Sequence, residues 1–110
     1  MILQKSELQG GDAFEFMIGE LQDEFWLDSS IYIIEEDFLK LHLDKLFESF
    51  IKDFNYYGPT TITQKQWVYL LNNYKNNNLF SKETEDILNE INKWAKEVFK
   101  TYPCFTICGL

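Results

Sequence analysis

Hydrophobic spacing changes twice along the chain. Near the start, Ile2-Leu3 forms a short apolar segment and Gly10-Gly11-Asp12 supplies a turn. Phe14, Phe16 and Ile18 then alternate with Glu15, the period-two pattern of a strand, in a segment running on to Leu21. Phe25-Trp26-Leu27, an Asp28-Ser29-Ser30 turn and the β-rich Ile31-Tyr32-Ile33-Ile34 follow. The first third therefore predicts a meander of antiparallel strands.

The spacing then becomes helical. From Asp37, read as an N-cap, Leu39, Leu43, Leu46, Phe47, Phe50 and Phe54 recur at intervals of three and four. That stripe predicts a helix of roughly four turns. It stops before Asn55-Tyr56-Tyr57-Gly58-Pro59, because Gly and Pro break a helix and the residue before Pro avoids the helical region. A second helix is predicted from Thr63, where Gln66 completes a capping box and Trp67, Leu70, Leu71 and Tyr74 form the inner stripe. Asn72, Asn73, Asn76, Asn77 and Asn78 weaken it into a loop. After Ser81, Ile87, Leu88, Ile91, Trp94, Ala95, Val98 and Phe99 share one face, and Glu83, Glu85, Glu90, Lys93, Lys96, Glu97 and Lys100 face away. This third helix reads as core packing and ends by Pro103. The nearly uncharged Cys104-Phe105-Thr106-Ile107-Cys108-Gly109-Leu110 reads as a buried strand returning to the sheet.

The order predicts an α+β fold: an antiparallel sheet of about four to five strands, an N-terminal meander plus a C-terminal strand, packed by three helices. The length fits one domain over residues 1–110. Ten Phe, six Tyr and three Trp supply a core large enough for independent folding.

Charge narrows the classes of partner. Ten Lys, no Arg and eighteen acids leave a formal net charge of −8. Residues 1–53 carry thirteen of the acids against four Lys, a net −9, and the remainder carries a net +1. Such a surface repels nucleic-acid phosphate and anionic membranes, whereas it attracts a basic protein in a salt-dependent way. The start carries no secretory signal and no stretch approaches the ~20 apolar residues of a membrane span, which points to the cytoplasm. On a strand, Cys104 and Cys108 share a face but sit about 13 Å apart. A disulfide needs Cα atoms within roughly 7 Å, so the expectation is two buried, reduced thiols.

Catalytic chemistry is thinly provided. His42 is the single histidine and lies beside the first helix's apolar stripe, so no Ser-His-acid or Cys-His set can be assembled without it. Glu35-Glu36-Asp37 is the densest acid cluster, but it lacks the spaced acids and glycine of a calcium loop and suits a helix N-terminus. The glycines form no phosphate-binding loop. The reading is a binding protein with no enzyme activity, cofactor or metal.

Binding features are richer. Asp23-Glu24-Phe25-Trp26-Leu27-Asp28 interleaves acids with aromatics, and Tyr56-Tyr57 precede a surface turn. Trp26 suits either a core strand or a partner-facing anchor, and Phe25 is read as core. The expected partner face is Asp23, Glu24, Trp26 and Asp28, with Glu35, Glu36, Asp37 and Tyr57 next.

Three segments carry a resemblance: Phe25-Trp26-Leu27-Asp28-Ser29-Ser30-Ile31-Tyr32-Ile33, Tyr56-Tyr57-Gly58-Pro59-Thr60-Thr61-Ile62-Thr63 leading to Trp67, and Cys104–Leu110. Together they resemble bacterial immunity proteins, encoded beside polymorphic or contact-dependent growth-inhibition toxins. The resemblance implies that the chain binds a cognate toxin domain and blocks its active site. Many such toxins are basic nucleases, which suits an acidic inhibitor. The competing reading is an acidic regulator that imitates nucleic acid and occupies a DNA- or RNA-binding protein.

Overall fold

A computed structural model describes residues 2–76 and 81–109. The strands are β1 (Ala13–Ile18), β2 (Ile31–Ile34), β3 (Pro59–Thr63) and β4 (Cys104–Cys108). The helices are α1 (Glu35–Lys40), α2 (Leu43–Phe50), α3 (Gln64–Asn73) and α4 (Lys82–Phe99). All strand pairs are antiparallel and the sheet order is β2-β1-β4-β3. The predicted α+β class holds, with four strands in one sheet.

Alternation explains the two faces of β1. Phe14 and Phe16 pair with Ile33 and Ile31 of β2 and point to the helices, where they join Phe38, Leu46, Phe47, Trp67, Ile91, Phe105 and Ile107 in the core. Phe14 stacks on Phe38 at 3.9 Å between ring centroids, and Phe105 meets the edges of Trp67 and Trp94. Each fully buried aromatic contributes about 1.5–3 kcal/mol of transfer free energy. β4 is buried along its whole length, as its apolar composition predicts, because β1 and β3 flank it.

The single helix expected over residues 37–54 is instead α1 and α2, divided at Leu41 and His42, where His42 adopts φ 56°. Phe38 and Leu43 are both buried against the sheet. On one continuous helix, residues five apart point about 140° away from each other. The break resets the phase so that both face inward, and it leaves Leu39, expected inside, exposed. Asp37 is not the N-cap: Ile34 holds that place, and Asp37 stands in the first turn.

α3 and α4 follow the sequence closely. Thr63 and Gln66 form the capping box, and Ser81 caps α4 by accepting the Thr84 N–H. A turn of 3₁₀ helix, Tyr74–Asn76, ends the α3 region; the loop predicted to continue through Asn77 and Asn78 lies outside the described residues. Strand β3 was hidden by the breaker signal of Gly58-Pro59. Pro59 is tolerated because β3 is an edge strand and Pro is its first residue.

The expected strand at Phe25-Trp26-Leu27 does not form. Those residues belong to the irregular connection from Gly19 to Ser30, which folds over the sheet face opposite the helices. Phe25, expected in the core, is 51% exposed. Instead the backbone N–H groups of Trp26 and Leu27 donate to the Glu15 carboxylate.

Candidate partner-binding site

The sheet face away from the helices carries Glu15 on β1, Tyr32 on β2 and Thr106 on β4. Glu15 is only 3% exposed, yet its environment is rich in donors. The backbone N–H groups of Trp26 and Leu27 donate to its two oxygens at 2.8 and 3.0 Å, and the Ser30 hydroxyl donates to Oε2 at 2.6 Å. The Tyr32 hydroxyl also lies 3.3 Å from Oε2, but it sits closer, at 2.6 Å, to the Leu27 carbonyl, and its one hydrogen is best placed there. Burial, then the nearby Glu15 charge, pushes the Tyr32 hydroxyl well above its ordinary pKa.

Trp26 has φ 62°, in the left-handed region. For a bulky residue that conformation costs about 1–2 kcal/mol. It turns two successive N–H groups toward one point, forming the concave nest that binds anions, and the Glu15 carboxylate fills it. The indole stacks on Tyr32 at 5.7 Å with planes 14° apart. It nevertheless stays 47% exposed, and Leu21 and Phe25 are similarly open. Asp23, Glu24 and Asp28 are exposed beside them. No basic residue occurs between Lys5 and Lys40, so nothing along this stretch neutralises those acids. The connection thus presents exposed apolar side chains interspersed with acids.

The other predicted site residues lie elsewhere. Glu35, Glu36 and Asp37 form the first turn of α1, on the helix side of the sheet. Tyr56 donates its hydroxyl to Glu35 and packs edge-on against Phe14, and Tyr57, 75% exposed, packs on Tyr56. Burial, then that hydrogen bond, raises the pKa of the Tyr56 hydroxyl. Glu35, Leu39, Asp44, Glu48, Tyr56 and Tyr57 line an open cleft of ≈ 390 Å³. The Trp26 group thus lies on the sheet face away from the helices and the Tyr57 group on the helix side.

Glu15 and Leu21 escaped the sequence reading. A lone acid between Phe14 and Phe16 carries the ordinary signal of a solvated strand face, and only the return of the chain over that face buries it. His42 is exposed at the α1–α2 break. Among the described residues, no group of three or more His, Cys, Asp or Glu side chains is arranged to hold a metal ion, and no helix is long and apolar enough to cross a membrane. Cys104 and Cys108 are free and buried. Burial, then the charge of Glu15, pushes the Cys108 thiol up to about 11.

The chain matches no family model, no curated protein and no solved structure.

Proposed function

We propose that this chain is an immunity protein: in the cytoplasm it binds a cognate protein toxin, a basic nuclease domain, and covers its active site. The observation that carries the reading is the β1–β2 connection, where Leu21, Phe25 and Trp26 stand exposed among Asp23, Glu24 and Asp28. An inhibitor of this kind works through surface complementarity and desolvated anchors and needs no reactive group. The acids steer a basic partner into place, and the aromatics hold it there. These apolar anchors favour a protein inhibitor over an imitator of nucleic acid, whose contacts would be dominated by charge.

The test is co-expression with the toxic C-terminal domain of the protein encoded immediately upstream. Restored growth together with co-purification supports neutralisation by direct binding. Continued toxicity removes this reading and shifts the weight to an acidic regulator of a DNA- or RNA-binding protein. That alternative predicts a complex that nucleic acid competes apart.

A further inference from the structure

We propose that Glu15 is the positioning residue of the recognition loop: its buried carboxylate holds Trp26 in a strained backbone conformation and so keeps the indole on display. As far as affinity is concerned, this rests on the reading of the Trp26 loop as the partner-binding surface. The ordering of the loop does not depend on it.

The geometry combines three features that are unusual together. Trp26 is left-handed without being glycine, it is half exposed, and its backbone is tied to a side chain eleven residues earlier. A side chain that merely needed burial would not require a left-handed backbone, and a loop free to relax would not keep one. Strain persists where the surroundings over-determine it, and such places are enriched in ligand clamps and recognition sites. Here the surroundings are the carboxylate, which collects the Trp26 and Leu27 N–H groups and the Ser30 hydroxyl, and Tyr32, which floors the indole and holds the Leu27 carbonyl. The Trp26 and Leu27 N–H groups and the Ser30 hydroxyl all donate to Glu15 and reach both of its oxygens, so an acceptor with two oxygens satisfies the set. A glutamine there faces at least one backbone N–H with its own NH₂, whichever way the amide is turned. The loop then gives up the left-handed turn. A rigid recognition element binds more tightly than a mobile one with the same side chains, because its ordering entropy is spent before the encounter.

The experiment compares Glu15→Gln with the wild-type chain by residue-resolved amide hydrogen exchange, melting temperature and affinity for the upstream toxin domain. The expected result is at least tenfold faster exchange at Trp26 and Leu27, with Phe105 and Ile107 of β4 unchanged, and affinity weaker by tenfold or more. Unchanged exchange at Trp26 and Leu27, uniform acceleration throughout the sheet, or undiminished affinity with a loosened loop would each overturn the proposal. Should Glu15→Gln fail to fold, Ser30→Ala decides: it removes one donor and leaves the carboxylate. It should accelerate exchange at Trp26 and Leu27 more than in β4, and no such difference overturns the proposal. A wild-type chain that ignores the toxin domain defeats the proposed function, while the exchange comparison still judges Glu15.

Discussion

The backbone N–H of Trp26 donates to Glu15 Oε1 at 2.8 Å, so the most exposed indole neighbourhood of the chain is anchored on one of its most buried charges. The link joins a β1 side chain to the loop that follows that strand. It makes the loop's shape a property of the sheet as well as of the loop's own residues.

Trp26→Ala is expected to weaken toxin binding more than any single change of Asp23, Glu24 or Asp28 to Ala. Truncating a desolvated aromatic anchor costs about 2 kcal/mol or more, whereas rim charges act mainly on the association rate. Titration calorimetry on the folded variants checks the ranking, and a Trp26→Ala chain that binds as tightly as wild type refutes it.

The acids should declare themselves in the kinetics. Association with a basic toxin domain is expected to slow steeply as salt rises, and changing Asp23, Glu24 and Asp28 together to Asn should flatten that dependence. Stopped-flow association at several ionic strengths is the measurement. An unaltered slope in the triple variant would place the steering charge elsewhere on the surface.

Deleting Cys104–Leu110 is expected to unfold the chain. β4 lies between β1 and β3, and its removal strands the backbone donors and acceptors of both neighbours and opens the core at Phe105 and Ile107. Circular dichroism during heating should show no cooperative transition. A transition at the wild-type temperature would make the strand dispensable.

Alkaline pH should destabilise the fold in a defined window. The Cys108 thiol has its pKa raised from an ordinary 9.0 to about 11, chiefly by burial, so the folded chain holds this proton more tightly than the unfolded one. Its contribution is complete below about pH 9 and is lost as pH rises through about 11. Tyr32, raised for the same reason, adds to the loss above its ordinary pKa of 10. Melting temperatures across this range should fall less steeply for Cys108→Ala than for wild type, and parallel curves would exclude the thiol as a source.

His42→Gly is expected to stabilise the chain slightly. His42 occupies φ 56°, a region glycine enters without strain, and relief should outweigh glycine's greater unfolded-state freedom by about 0.5–1 kcal/mol. Urea unfolding reads the difference. A loss of stability would mean that the imidazole contributes more than its backbone strain subtracts.

Much of the architecture was legible in the chain. Phe14 and Phe16 alternating about Glu15 specify β1, the Thr63–Gln66 capping box starts α3, Ser81 starts α4, and the uncharged Cys104–Cys108 segment is the buried strand. These are local signals: a side-chain period, a cap or a composition over a few residues, each sufficient to set the backbone near it. The acidic, aromatic character of residues 23–28 was equally plain, because charge and residue type need no fold.

What the tertiary structure alone decided are the matters of phase and cover. Whether Phe38 or Leu39 faces the core depends on the left-handed His42, and a periodic stripe does not announce that its phase will be reset. Whether Phe25 and Trp26 are core or surface depends on how the β1–β2 connection crosses the sheet face and where its N–H groups find an acceptor. Whether Glu15 is solvated or buried depends on a connection that returns over the second sheet face and closes its own N–H groups on the carboxylate. Each is settled by contacts between residues distant in sequence, because a backbone group or a carboxylate withdrawn from water must find its partner wherever the fold places one.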